Sequence, residues 1–370
     1  MYSIYDYAHN GLLYLNNVMR PRHKRLSQLM IYSTTLCQSK CKHCNIWQKR
    51  PVEHLSLEDI QRMMQSRCVT RRTTVGLEGG EFILHPQADE IMAWFQANHP
   101  YYTLLSNCLA PRRVIDAVRR YQPRHLYVSL DGGRETYQRM RGRDGYDRVI
   151  EVVEALKDEV PLSLMFCLSP WNTFEDMAYV IDVAKHYGVD IRIGIYGTMA
   201  YMVSEECRVK SEEFATAVPS LGTQIAAANS SFFTLHSSLK YTQENYDFVA
   251  LYDEWRNGHL RLRCQSIVSC LVVHSNGDVP LCQNLDVVLG NIHEQTLDEI
   301  FNGASACQAQ CHYTRHCNDC WINFHRKYDI ILVRNFERLL PKWLIEKFYG
   351  PYQWTADPKQ TYRKHLKAIQ

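Results

Sequence analysis

Between residues 29 and 195 the chain repeats one pattern six times, a short apolar run followed by a segment with helical start signals. No other feature limits its fold as strongly. The runs are Leu29–Leu36, Thr74–Glu78, Thr103–Ser106, Leu126–Leu130, Leu162–Leu168 and Asp190–Ile195. Most are nearly continuous in apolar residues, as strands covered on both faces are. Ser56 stands before Leu57 with Asp59 three residues on, a carboxylate partner for a helix start. Asn172 or Thr173 opens Phe174–Tyr187, and Gly188 closes it. Pro111 occupies the first turn of a helix ending near Arg120, and Gly145 precedes Tyr146–Lys157. Strand and helix in alternation predict parallel βα units. Six such units predict an α/β fold, a partial (β/α)6 TIM-like barrel rather than a closed ring of eight.

The character changes after about residue 196. Residues 211–228 read as helical, and 229–263 are polar and aromatic without a clear period. Cys270–Cys282 reads as two short strands around Asn276-Gly277, a strong hairpin-turn signal. Thr296–Phe301 is a short helix, and the tail from Asn323 to Gln370 is aromatic, basic and helical in parts. The expected organisation is an N-terminal segment 1–28, a barrel 29–228, a small C-terminal domain 229–322 and a helical tail 323–370.

Charge and hydropathy exclude several classes. A net charge of +3 from 42 basic and 39 acidic residues does not point to nucleic acid or to an anionic membrane. No stretch approaches the 18 or so uninterrupted apolar residues of a transmembrane helix. Met1 to Asn16 lack a basic region followed by an apolar core, so no secretory signal is expected and the setting is cytoplasmic. In a reducing compartment the 14 cysteines are expected to bind metal or do chemistry rather than form disulfides.

Their distribution sharpens that expectation. Cys68, Cys108, Cys167 and Cys207 are single and scattered, and read as small buried apolar residues. Cys37, Cys41 and Cys44 follow directly on the first strand, and seven more crowd between Cys264 and Cys320. Three thiolates on one short loop can hold three irons of a [4Fe–4S] cluster and leave the fourth open. A zinc site usually pairs C-x-x-C with a second distant pair, which an isolated C-x3-C-x2-C is not. In a βα barrel the C-terminal strand ends are where chemistry sits. The others carry Gly79-Gly80-Glu81, Ser106-Asn107, Ser129-Leu130-Asp131-Gly132 with Arg141 beyond, and Ile193-Gly194-Ile195.

This set of strand ends resembles that of the radical S-adenosylmethionine (radical SAM) enzymes, over roughly residues 29–200. The resemblance implies that Cys37, Cys41 and Cys44 hold a [4Fe–4S] cluster that binds S-adenosyl-L-methionine. His43 stands where relatives carry an aromatic residue, and its imidazole can stack on adenine. Gly79, Gly80 and Glu81 would meet the methionyl amino group. Ser106 and Asn107 match a Thr-Asn or Ser-Asn pair of many relatives. Ser129 and Asp131 end the fourth strand, and Ser129 with Arg141 would help hold the ribose and carboxylate of the cofactor. Arg139 and Arg143 compete for that role, but the Met-Arg-Gly setting favours Arg141. Ile195 would form part of an apolar platform for adenine.

Cys264-x12-Gly277-x4-Cys282 resembles the opening of the SPASM or twitch extension of these enzymes, which carries auxiliary iron–sulfur clusters. The late spacings, x3, x5 and x2, depart from the full SPASM pattern, and no cysteine follows Cys320. The resemblance favours Cys264, Cys282, Cys317 and Cys320 as ligands of one auxiliary [4Fe–4S] cluster. Cys270, Cys307 and Cys311 are then an incomplete second site, alternates or structural thiols. A two-cluster arrangement with an open or non-cysteine position is the other reading.

The resemblance implies reductive cleavage of S-adenosylmethionine to a 5′-deoxyadenosyl radical that abstracts hydrogen from a substrate. The expected substrate is a ribosomally made precursor peptide, crosslinked, epimerised or shortened in its backbone. The alternatives are oxidation or epimerisation of a small sugar alcohol or antibiotic intermediate, and a non-catalytic metal-binding scaffold. The intact triad, Gly-Gly-Glu and Arg141 speak against the scaffold. Only 36 residues precede Cys37, too few for a leader-binding winged-helix domain. A separate leader-binding protein is therefore an expected partner, with a reductase or flavodoxin as electron donor. Ile330, Leu332, Phe336, Leu339, Leu340, Trp343 and Leu344 either dock such a partner or close the open side of the barrel.

Overall fold

The computed structural model describes residues 4–197, 247–248 and 251–354. Cys207 and the helix expected over 211–228 lie outside the described residues. Seven parallel strands form one sheet in the order β6-β5-β4-β3-β2-β1-β7. They are β1 (Gln28–Tyr32), β2 (Thr74–Glu78), β3 (Tyr102–Ser106), β4 (His125–Ser129), β5 (Leu162–Leu168), β6 (Asp190–Ile195) and β7 (Cys270–Val273). A helix α1 (Ile4–Met19) precedes them. Between the first six strands lie α2 (Leu57–Met64), α3 (Ala88–Asn98), α4 (Pro111–Tyr121), α5 (Arg134–Arg141), α6 (Tyr146–Leu156) and α7 (Phe174–Tyr187).

The local signals act as expected. Ser56 and Thr173 each cap a helix in a reciprocal box with Asp59 and Asp176. Asn172 instead accepts from the Ser169 amide at 2.8 Å. Gly188 ends α7 at φ 65°, where a left-handed residue is needed. The first strand stops at Tyr32 rather than Leu36. Beyond it the Thr34 hydroxyl accepts from the Leu36 amide, and Thr35 pairs with Glu53, so the chain turns into a loop.

Two features differ from the sequence reading. The strands join the main core through their outer faces, with Leu29, Ile31, Val75, Leu77, Leu126 and Ile193. Their inner faces carry Met30, Tyr32, Gly76, Glu78, Tyr127, Ser129, Arg192 and Gly194, and line a cavity of about 1150 Å³. The barrel interior is thus a chamber rather than stacked layers of side chains.

The second difference is at Cys270–Cys282. The turn forms, with Gly277 at φ 87° and its amide on the His274 carbonyl. The two arms then part. β7 runs parallel to β1, from Gln28 opposite Cys270 to Ile31 opposite Val273. The other arm, β8 (Asp278–Pro280), pairs antiparallel with β9 (Val288–Asn291). Cys-Leu-Val-Val is buried at every position, so it gains more at the barrel edge than in a two-stranded ribbon.

The helix Asn323–Leu339 covers the open side. Its Asn323 Nδ2 donates to the Ile193 carbonyl on β6, and Leu332 and Phe336 line the same cavity as the strands. Trp343, on the following helix Lys342–Phe348, is exposed. No helix among the described residues is long and apolar enough to cross a membrane.

Candidate functional site

The loop after β1 is tied to the end of α5. The Lys40 amide donates to the Arg141 carbonyl at 3.0 Å, the Lys42 amide to Met140 at 2.9 Å, and the Ser39 hydroxyl to Arg141 at 3.1 Å. These bonds aim Cys37, Cys41 and Cys44 into the large cavity. Polar groups surround the sulfurs. Asn107 Nδ2 lies 3.7 Å from Cys37 Sγ, Arg141 Nη1 3.7 Å from Cys41 Sγ, and the Ser39 hydroxyl 3.1 Å from Cys41 Sγ. Burial pushes the Cys37 thiol up and the Cys44 thiol up to about 12, so thiolates here need a cation beside them. Three convergent sulfurs with hydrogen-bond donors behind them fit an iron–sulfur cluster.

The glycines of Gly79-Gly80-Glu81 serve a packing purpose that the sequence reading did not include. A Cβ on Gly80 would meet the Leu36 carbonyl oxygen at 2.4 Å, and one on Gly79 the Thr34 carbonyl at 2.5 Å. The second strand end therefore presses directly on the segment leading to Cys37. Gly80 and Glu81 amides donate to Thr34 and Leu36 at 2.7 and 2.8 Å. Glu81 is 2% exposed, and its oxygens accept from the Ser106 hydroxyl and the Asn107 amide, both at 2.8 Å. Burial pushes its carboxyl up to about 7, against those two hydrogen bonds, which lower it.

Arg141 is buried, and its Nε donates to Asp131 Oδ2 at 2.7 Å, with Nη2 on the same oxygen. The other Asp131 oxygen accepts from the Cys167 amide at 3.0 Å. Arg139 reaches Thr136 and the Trp171 carbonyl, and Arg143 the Gln38 carbonyl, so neither occupies this position. His43 lies edge-on to Tyr196 at 6.4 Å, and burial, then the charge of Arg141, hold its imidazole down at about 4. The ring is thus neutral at pH 7.

His43, Gly79, Gly80, Glu81, Asn107, Ser129, Asp131, Arg141 and Ile195 all line the cavity with the three cysteines. Ser106 stands behind the wall as the brace of Glu81. Cys68 and Cys108 are buried as expected, whereas Cys167 is half-buried on the cavity wall. β5 turns that side chain inward, which a scattered position in sequence could not reveal.

A second, small cavity is lined by Cys264, Cys282, Cys317 and Cys320, with Tyr313 and His325. Burial pushes the Cys282 thiol up to about 11 and those of Cys264 and Cys320 up as well. Burial alone would make Arg326 less basic, but Cys320, Asp329, Cys264 and Cys317 around it hold its guanidinium above the ordinary value. Four thiols around one enclosed space beside a buried cation fit a second anionic cluster. The remaining cysteines lie elsewhere. Cys270 faces the Ser27 hydroxyl at 3.5 Å, Cys307 the Pro21 carbonyl at 3.0 Å, and Cys311 is exposed. Among the described residues, no three His, Cys, Asp or Glu side chains converge as ligands of a single metal ion do. A multi-iron cluster spreads its thiolates over several irons.

Sequence reasoning missed Glu78, Tyr127, Arg192, Gln283, His325 and Arg326. The first three are polar residues inside otherwise apolar strand runs, which is the signal that could have found them. Arg326 lies on a helix whose buried side also holds His325, Asp329 and Arg334.

Residues 31–184 match the Radical SAM superfamily, and residues 264–321 match SPASM, an iron-sulfur cluster-binding domain. A probable GTP 3′,8-cyclase of Saccharolobus islandicus (strain Y.N.15.51 / Yellowstone #2) is 27% identical over 170 residues, 45% of this chain and 55% of that protein. The chain thus spans about half the length of this curated relative. Among solved structures, Streptococcus suis SuiB bound to precursor peptide SuiA superposes with a TM-score of 0.56 at 14% identity, covering 82% of this chain and 71% of that one. Native anSMEcpe with bound AdoMet gives 0.53 at 15% identity, covering 85% and 98%. These structural likenesses show the fold.

Proposed function

Because this chain belongs to the radical SAM superfamily and carries a C-terminal SPASM domain, we propose that it modifies a ribosomally made precursor peptide. The cluster and S-adenosylmethionine, when bound, supply a 5′-deoxyadenosyl radical as the hydrogen-abstracting agent. The chain's own residues hold and shield. Cys37, Cys41 and Cys44 ligate the cluster, Arg141 keeps a positive charge at Cys41, and Glu81 braces the end of β3. His43 and Ile195 offer flat and apolar surface to adenine. The covering helix Asn323–Leu339 keeps bulk water from the reaction.

The observation that supports a peptide is the cavity. Its volume of about 1150 Å³ exceeds the 300–1,000 Å³ or so of an ordinary small-molecule site, leaving room for a substrate segment beside the cofactor. SuiB, of like fold, was solved with a precursor peptide, and anSMEcpe with a peptide. We assign Cys264, Cys282, Cys317 and Cys320 to one auxiliary [4Fe–4S] cluster. A separate leader-binding protein and a flavodoxin or reductase complete the proposed system.

The test is anaerobic co-expression of the chain with any short open reading frame found beside its gene, followed by mass spectrometry of the peptide product. A mass change or a deuterium-traced epimerisation in the peptide is expected. An unmodified peptide, together with oxidation of a sugar alcohol by the same preparation, would replace this reading with the small-molecule one.

A further inference from the structure

Tyr32 and Glu78 are the last residues of β1 and β2, and they are partners in the parallel register. Both line the large cavity. Gln283 reaches the same wall from the other domain. Its Nε2 donates to the Tyr32 hydroxyl and lies 3.3 Å from Met30 Sδ. Gln283, Tyr32 and Glu78 therefore stand side by side.

Two acceptors in this row lack a donor. Gln283 is 6% exposed, and its Oε1 is buried without a hydrogen-bond partner. The half-buried Glu78 lines the chamber, and its carboxylate has no hydrogen-bond or ion-pair partner among the described residues. Glu81, three positions on, has both oxygens engaged. An unmet buried acceptor costs the fold stability, and native proteins rarely leave one without a reason. One such oxygen, on Gln283, beside an unpaired carboxylate on the same chamber wall points to a ligand that brings the donors.

The wall also has a fixed place. Gln283 follows Cys282, which lines the small cavity, and its backbone amide lies 3.3 Å from His325 Nε2. His325 lines that small cavity too, and its Nδ1 is 3.0 Å from the Ser266 hydroxyl. A group held by Gln283 therefore sits where the chamber adjoins the four late cysteines.

We propose that Glu78 and Gln283 are a pair of substrate-binding acceptors that hold N–H groups of the substrate, peptide amide or amino, against the wall shared by the two cysteine sites. The peptide part of this proposal rests on the function read above. The acceptor pair itself rests on the wall.

The experiment compares reconstituted wild type with Glu78→Gln and Gln283→Leu. The first measurement is the thermal midpoint without substrate. Glu78→Gln is expected to melt at or above wild type, because a carboxylate that no protein donor holds has been replaced by a neutral group of the same shape. A midpoint several degrees lower would make Glu78 a structural group and overturn the proposal. The second measurement is the ratio of modified peptide to 5′-deoxyadenosine. It is expected to fall about tenfold or more in both variants, the loss of one good hydrogen bond. An unchanged ratio in both would overturn the proposal equally. If wild type modifies no peptide, the peptide reading fails, and the melting comparison still decides whether Glu78 is held for a ligand.

Discussion

Gly80 has no room for a side chain: a Cβ would meet the Leu36 carbonyl at 2.4 Å and the Cys37 Cβ at 2.9 Å. Gly80→Ala must therefore push the cysteine loop off its seat. The expected result is a reconstituted protein that has lost the iron of one cluster, measured as iron per chain. Full iron content would show that the loop tolerates the shift. Arg141 makes the complementary case. Its guanidinium and the Asp131 carboxylate are both buried, 9% and 1% exposed as side chains. Arg141→Ala strands that carboxylate, at a cost of about 3–5 kcal/mol. Its first effect should be a lower thermal midpoint, visible before any cofactor is added. A variant that melts like wild type and only binds S-adenosylmethionine more weakly would mean that the pair contributes little to the fold. The strand-end residues were legible because motif and position along a βα unit are local properties. The ion pair was not, because Asp131 and Arg141 meet only when α5 packs back over the loop of Cys41.

The late cysteine segment has its own test at the scale of elements. Cys317 and Cys320 flank the same cavity as Cys264 and Cys282 but follow a different helix, Ala304–His316. Cys317→Ala/Cys320→Ala should lose the auxiliary iron and lower the yield of modified peptide per 5′-deoxyadenosine. An unchanged yield per radical would make the segment a staple for a small domain with little core of its own. The capping boxes at Ser56, Thr173 and Thr296 could be read from three or four letters each, because their partners are adjacent. The turn at Gly277 was legible for the same reason. The partner of β7 was not, since β1 lies far away in sequence and only the assembled sheet offers its edge. The helix Asn323–Leu339 was read through its apolar residues, Ile330, Leu332 and Phe336. Its buried Arg326, Asp329 and Arg334 became intelligible only with Asp247 and the cysteines beside them.

The molecule as a whole carries opposed sets of buried titratable groups. His43, His85 and His274 are held down at about 4, and His125 and His325 at about 3, chiefly by burial. Unfolded, each takes up its proton near 6.5, so the stability they allow is complete above that value and is lost as pH falls toward 4. Glu78, Glu81 and Asp329 are pushed up to about 7, and folded they bind protons before the unfolded chain does. They gain stability over the same descent. Among the described residues these five oppose these three, and the smaller downward shifts of His54 and His99 are matched by the upward ones of Asp190 and Glu337, so acidification from pH 7 to 5 should lower the thermal midpoint of the ligand-free protein. A higher midpoint at pH 5 would show that the carboxylates outweigh the imidazoles.

The pairing of β7 with β1 also sets a clock. The Ser27 hydroxyl bonds to the carbonyl of Ser269, a separation of 242 residues. A ribosome adding about 5–20 residues per second needs roughly ten to fifty seconds to bridge that interval. Throughout it, one edge of the nascent sheet stays unpaired, the condition under which strands find wrong partners. The loop of Cys37 hangs from that same unfinished edge. Metal delivered before the last strand emerges would meet a sheet that is still incomplete.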